Sequence, residues 1–253
     1  MKQAAHTVTS SWAATAMGDA SPHRVVETEH LTPTILELWL RPLAGPLQYL
    51  PGEFVLLEDC HHRMPPRSYS IANAPRPDGL ISLLVTRVQG GQTSRWVHEH
   101  LRVGDEVSVS GPYGTFVDDP RSAAPCLFLA AGSGLAPIRS LIEAALSTGA
   151  RRSLTLIISA GTEADVIGRA CFTSWEASHP QFQFMRTLTR ADGPGLHGRI
   201  PAVLPAICGG LAEYDAFVAG APGFVAACAS AVEALGVRRG RVHTEEFFAE
   251  PRS

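Results

Sequence analysis

The stretch RSYSIANAP, residues 67–75, sets an arginine, an aromatic ring and two hydroxyls ahead of an apolar pair, then breaks at Asn-Ala-Pro. Read as a strand, it sends Arg67, Tyr69 and Ile71 to one face and Ser68 and Ser70 to the other. Two readings are open on these residues alone. One is a half-buried strand with a surface cation and a core ring. The other is a seat for a flat anionic cofactor: the guanidinium holds a phosphate, the ring lies against the cofactor, and a hydroxyl reaches a ring nitrogen. The sequence on either side decides between them.

Around this stretch, from about residue 22 to residue 117, the pattern is that of an all-β unit. HRVVETEHL, TILELWLRPL, EFVLLED, RSYSIAN, LISLLVTRV and DEVSVSGPYGTF are short, rich in β-branched and aromatic residues, and separated by turn clusters such as GPLQYLPG, APRPDG and GPYG. Six strands at this spacing predict a small closed barrel or sandwich. One helix interrupts near TSRWVHEHL, with Thr93 or Ser94 as its expected cap. GGQTS, residues 90–94, leads into it. Gly90 and Gly91 give backbone freedom, and Ser94 and the first helical amides, those around Gln92 and Thr93, can meet a phosphate-bearing group. A plain hairpin loop with a capped helix is the other reading. Trp39 is expected to pack in the barrel, and CHHR, residues 60–63, reads as a surface loop rather than a metal site.

Beyond about residue 124 strand and helix alternate. CLFLAA, SLTLIISA, FQFMRTLTR, DAFVAG and GRVHTEEFF read as strands. Helical spacing marks the segment after GSGLAP up to Gly149, the region ADVIGRACFTSWEAS, IPAVLPAICGG and GFVAACASAVEALG. This alternation predicts a parallel sheet covered on both faces. The expected organisation is a disordered tail over 1–20, a β unit over 21–120 and an α/β unit over 121–253. AAGSGLAP, residues 130–137, joins the first strand to the first helix of the second unit. Gly132 and Gly134 permit a tight turn and close backbone approach, and the free amides of the helix can meet a pyrophosphate. Pro137 stands where a dinucleotide fingerprint has its last glycine, which suits an early helical turn and implies a variant nucleotide site. AGAP, residues 219–222, follows the fourth strand at the edge where open parallel sheets hold ligands, though a simple turn also satisfies it.

Composition narrows the classes. A net charge of −3 and pI near 6.4, with no basic stripe, speak against nucleic acid as partner. The longest apolar runs fall far short of the roughly 20 residues of a membrane span. The five cysteines are scattered, with no CxxC pair and no iron–sulfur spacing, so no metal site is expected and reduced thiols in a cytoplasm fit best.

These segments occur in one order, and in that order the sequence resembles the ferredoxin–NADP reductase superfamily, in its oxygenase-reductase branch. The residues that carry the resemblance are Arg67, Tyr69 and Ser70 of R-x-Y-S; Gly90, Gly91 and Ser94 of GGxxS; Gly132, Gly134 and Pro137 of GxGxxP; Gly220 and Pro222 of G-x-P; and Glu245 and Phe247 of E-x-F. They span about residues 23 to 248. The resemblance implies an antiparallel FAD-binding β-barrel followed by a Rossmann-like NAD(P)-binding α/β domain. It implies that Arg67, Ser68, Tyr69, Ser70, Thr86, Val88 and the 90–94 loop hold the flavin, FAD rather than FMN. Gly132, Ser133, Gly134, Pro137, Gly220, Ala221 and Pro222 would hold the nicotinamide coenzyme. Tyr69, Ser70, Glu245 and Phe247 are the implied catalytic set, with Phe247 covering the flavin until the nicotinamide displaces it. Two departures bear on the coenzyme. Ala219 stands where relatives often carry cysteine, and Gly161 where they often carry an arginine. Arg190 and Arg199 match other arginines that can meet a 2′-phosphate, so the signals divide between NADPH and NADH with the balance toward NADPH.

The implied activity is a reductase that takes a hydride from NAD(P)H and passes electrons to a separate ferredoxin, flavodoxin or oxygenase component. The expected state is a cytoplasmic monomer. The alternatives are a reductase that uses free flavin as substrate and a flavin-binding electron-transfer subunit of a larger complex.

Overall fold

Leu36, Leu38 and Leu40 show what patterning does in the first half of the chain. These side chains of strand β2 are almost wholly buried, while Trp39 between Leu38 and Leu40 is only half-buried. Each fully buried leucine contributes roughly 1.5–3 kcal/mol of apolar transfer. The computed structural model describes residues 20–61, 63–149, 151–190 and 195–248; most of the expected tail, residues 1–19, lies outside them.

In the first half, strands β1 (Ser21–Thr32), β2 (Ile35–Pro42), β3 (Phe54–Asp59), β4 (Arg67–Ser70), β5 (Ile81–Thr86) and β6 (Glu106–Tyr113) form one antiparallel sheet in the order β4-β3-β6-β1-β2-β5. Its two edges are joined by an Ile71–Leu83 bridge and by the Ala72 amide donating to the Ser82 carbonyl at 2.7 Å, which closes the barrel. Helix α1 (Gln92–Glu99) follows β5. Its cap differs from the expected one. Gly91 occupies the N-cap without a side-chain bond, because both hydroxyls are used elsewhere. Thr93 Oγ1 donates to the Pro65 carbonyl at 2.7 Å, and Ser94 Oγ accepts from the Val88 amide at 3.2 Å. Trp39 also departs from expectation: its ring faces outward beneath the Arg76 guanidinium, 5.7 Å away.

In the second half, β7 (Cys126–Ala131), β8 (Leu154–Ala160), β9 (Phe182–Leu188), β10 (Leu196–His197), β11 (Asp215–Gly220) and β12 (Val242–Glu246) form a parallel sheet in the order β10-β9-β8-β7-β11-β12. Helices α2 (Leu135–Ser147), α3 (Arg169–Ser178), α4 (Ile200–Ile207) and α5 (Pro222–Ala234) cover it. The two-residue β10 was not foreseen; it is too short to carry a period. The helix expected over 164–178 is divided, because Gly168 takes a left-handed φ of 70° and restarts the chain as α3.

The chain reverses its order across the sheet between β7 and β11, so the crevice beyond their C-terminal ends is the switch point of the fold. The two halves share a core. Ile35, Ala72, Leu84 and Phe116 of the first half pack in one buried cluster with Phe128, Phe217 and the inner face of α2. Phe116 meets Phe217 edge-on at 5.5 Å. Gly52 makes this junction possible: with φ +95°, its missing Cβ would fall 1.9 Å from the Phe116 carbonyl oxygen. Gly52→Ala is expected to cost about 1–3 kcal/mol from backbone strain alone, and more from the collision. A thermal melt reads this as a fall of several degrees; an unchanged midpoint would show that the 116–117 segment yields freely.

Candidate functional site

A cavity of about 610 Å³ opens at the seam between the two halves. Arg67, Ser68, Tyr69 and Ser70 of β4 form one wall, with Thr86 and Val88 at the end of β5 and Ser94 of α1 beside them. Gly132, Ser133 and Gly134, then Gly220 and Ala221, form the opposite wall. Glu245 and Phe247 reach in from β12 and the residues after it. Motifs far apart in the sequence therefore meet at one place, and that place is the switch point of the parallel sheet.

The N-terminal regions of three helices border the cavity. Ser94 lies in the first turn of α1; Gly132–Gly134 precede α2; Gly220 and Ala221 precede α5. Unpaired amides and the helix dipole make such ends favourable to anions. Arg67 adds a guanidinium, which also donates to the Pro66 carbonyl at 3.2 Å. Gly134 is held so close to β11 that a Cβ there would lie 2.3 Å from the Ala219 carbonyl oxygen. Only a glycine lets the loop after β7 sit against that strand.

Two hydrogen bonds cross the seam inside the cavity wall. Thr86 Oγ1 donates to Ser133 Oγ at 2.8 Å, and Ser70 Oγ donates to Glu245 Oε1 at 2.6 Å. The second carboxylate oxygen, Oε2, is buried and has no hydrogen-bond partner. Burial disfavours the charged form and pushes the Glu245 carboxyl up to about 7, against the smaller opposing effect of the Ser70 bond. Glu245 can thus gain or lose a proton near neutral pH. Phe247 is anchored by its amide, which donates to the Gly220 carbonyl at 2.9 Å, and it packs on the shared core. Tyr69 packs on the barrel core while it faces the cavity.

Several expected residues do not line the cavity. Gly90 and Gly91 form the turn before α1, and Gln92 and Thr93 its first residues, with the Thr93 side chain turned to Pro65. Pro137 is buried in the first turn of α2, and Pro222 opens α5. Arg190 lies against Gly161 at the end of β8 and pairs with Asp165 at 3.4 Å. Arg199 is exposed at the N-cap of α4.

Other lining residues were not foreseen: Thr34, Ile35, Phe54, Leu84, Ala131, Glu246 and Phe248. Phe54 arrives through strand pairing, directly opposite Ser70. Only pairing could reveal it, because EFVLLED is by itself an ordinary strand. Glu246 and Phe248 adjoin E-x-F and could have been read from that adjacency. Among the described residues no group of three or more His, Cys, Asp or Glu is placed to hold a metal.

Comparison with known proteins agrees with this geometry. Residues 24–117 match the family of oxidoreductase FAD-binding domains, and residues 128–230 match that of oxidoreductase NAD-binding domains. Over 191 residues the chain is 35% identical to ferredoxin–NADP reductase B of Sorangium cellulosum, covering 72% of this chain and 78% of that one. Over 233 residues it is 28% identical to the phenol hydroxylase P5 protein of Acinetobacter pittii, covering 89% of this chain but 65% of the relative, just under two thirds of its length. Among solved structures, the ferredoxin reductase in carbazole 1,9a-dioxygenase aligns with a TM-score of 0.82 and 27% identity, over 91% of this chain and 70% of that one. A flavin-type barrel and a nucleotide-type sheet, joined in this order and meeting at one cavity, thus have their counterpart in known proteins, and the chain belongs to the ferredoxin–NADP reductase superfamily.

Proposed function

We propose that the chain is an NAD(P)H-dependent flavoprotein reductase that passes electrons to a separate acceptor: a ferredoxin, a flavodoxin or an oxygenase component. The observation that carries this reading is the single seam cavity, walled by Arg67–Ser70 of the barrel on one side and by Gly132–Gly134 and Gly220 of the α/β unit on the other. Residues 21–120 and 121–253 are taken as the two domains.

The residues present fit FAD. Arg67 and the first turn of α1 can hold its phosphates. Tyr69 offers a ring flat enough to lie along a flavin. The glycine loop and the α2 N-terminus can hold the coenzyme pyrophosphate at the switch point. When bound, the flavin supplies a hydride-accepting ring and the ability to release electrons singly. The chain supplies position and electrostatics. Ser70 Oγ and Glu245 Oε2 would hold or pass a proton in the cavity wall, and Phe247 would exclude water there. The coenzyme is NADPH or NADH. A 2′-phosphate reaching Arg190 would have to displace Asp165, a pair exposed enough to give way.

No helix among the described residues is long and apolar enough to cross a membrane. The five cysteines are free. We place the protein in a cytoplasm, where such thiols stay reduced, and expect a monomer.

The direct test is an absorption spectrum of the purified chain, then anaerobic addition of NADPH and of NADH. Yellow protein bleached by one coenzyme is expected and names the donor. Colourless protein that oxidises NAD(P)H only with added flavin would make flavin a substrate. Bound flavin bleached by neither coenzyme would favour a subunit that works only within a complex.

Arg67→Ala is expected to weaken FAD binding at least tenfold, since a charge-assisted bond of about 1.5–3 kcal/mol is lost; unchanged flavin content would remove Arg67 from the site. Glu245 gives a pH signature. Its folded-state pKa, about 7, lies above the unfolded value of about 4.3, so the folded state binds the extra proton between them. Stability from this group is therefore full below about pH 4 and declines as pH rises to about 7. In Glu245→Gln this component of the decline between pH 5 and 7 should vanish. Melting curves across that range check it, and equal slopes in both proteins would contradict it.

A further inference from the structure

Helix α2 starts at the cavity and then runs against the barrel. One turn from its first residue, Arg139 reaches across the seam. Its Nε donates to the Ala72 carbonyl at 2.5 Å, and Nη2 donates to Glu37 Oε1 at 2.5 Å and to Ser82 Oγ at 3.0 Å. Ser82 Oγ in turn donates to Glu37 Oε1 at 2.5 Å. The pair is largely out of water: the Arg139 side chain is 14% exposed and that of Glu37 8%. Two further α2 residues grip the same segment. Ser140 Oγ donates to the Asn73 carbonyl at 2.7 Å, and a Glu143 carboxylate oxygen accepts from the Ala74 amide at 2.8 Å.

We propose that Arg139, locked to Glu37, is a positioning residue that sets the angle between the two domains and so the overlap of the bound coenzyme with the flavin. This rests on the reductase reading above. Arg139 touches neither expected ligand. It acts through what it holds: Ala72 lies two residues beyond Ser70, and Leu135, at the start of α2, lies four residues before Arg139. A small rotation at this latch would move the flavin strand and the glycine loop relative to each other.

Adhesion alone does not explain the pair. The halves already share an apolar core, and a buried ion pair is often no more stabilising than a well-packed apolar pair of the same volume. Apolar contact tolerates sliding, whereas a planar guanidinium that bonds three barrel groups in fixed directions does not. Hydride transfer is sensitive to such sliding, since a displacement of about 1 Å can cost about 100-fold in rate.

The test uses the full chain loaded with FAD. The rate of flavin bleaching by saturating coenzyme is measured anaerobically by stopped flow, using whichever coenzyme reduces the wild type. As a coenzyme-free control, flavin reduced with dithionite is reoxidised by ferricyanide. Arg139→Met is expected to keep its flavin and its reoxidation rate, to change coenzyme Kd by less than about threefold, and to lose about 10- to 100-fold in limiting bleaching rate. Arg139→Lys, which keeps the charge but not the fork, should recover only part of that loss. Should Arg139→Met fail to fold with Glu37 left unpaired, the double variant Arg139→Met with Glu37→Gln removes both charges and is expected to show the same selective loss.

An unchanged limiting rate would overturn the proposal, as would an effect confined to Kd or an equal fall in ferricyanide reoxidation. Wild-type flavin that neither coenzyme bleaches would instead overturn the reductase reading itself, and this inference with it.

Discussion

The Ile71 amide donates to the Glu53 carbonyl, and the Ala72 amide donates to Ser82 across the closing edge of the barrel. The carbonyls of Ala72 and Asn73 then accept from Arg139 and Ser140 of α2, and the Asn73 carbonyl also accepts from the Tyr49 hydroxyl. Asn73 is almost wholly buried and uses its side chain as fully as its backbone. Its Nδ2 donates to the carbonyls of Ala74 and Leu80, and its Oδ1 accepts from the Ser82 amide at 2.6 Å. Barrel closure and domain docking thus use the same residues, 71–74, which immediately follow β4. The two walls of the cavity cannot be placed independently.

That arrangement suits a site whose chemistry is borrowed. A flavin and a nicotinamide bring their own reactivity, so the protein's contribution is a rigid seam with anion-friendly ends and little water. The shared apolar core provides the first, helix N-termini the second, and the aromatic residues lining the cavity the third. Glu245 is the exception within this apolar surround. It is a carboxyl kept largely out of water, which disfavours its charged form. Perturbed carboxyls of this kind gather at functional sites, and this one lies beside Ser70 in the cavity wall.

Much of this was legible in the residues. The six barrel strands were readable because alternation and turn residues agree with one another. The parallel half was readable because continuous apolar strands alternate with helical periods. The glycine loop was readable because a close backbone approach demands a residue without a Cβ, and R-x-Y-S because its alternation marks a strand. What escaped notice depends on pairing over distance. Phe54 enters the cavity only because β3 lies opposite β4. The outward turn of Trp39 depends on barrel register. The unused caps at Thr93 and Ser94 follow from partners elsewhere in the fold. Arg139 reads locally as an unremarkable helical cation; its partners are Glu37, Ala72 and Ser82, and no local pattern connects them.

The contact between Gly134 and the Ala219 carbonyl carries a kinetic consequence. It sits where β7 meets β11, strands separated in sequence by the whole β8-to-α4 region. Neighbouring β7 and β8 join after one helical crossover, whereas β7 and β11 must close a far longer loop, and pairings of that kind form slowly. The crevice at the switch point is therefore among the later features to appear as the chain folds. The barrel closes a loop of the same order where β1 meets β6, so both walls are completed late, and a dinucleotide could stabilise the finished seam but not guide its early assembly.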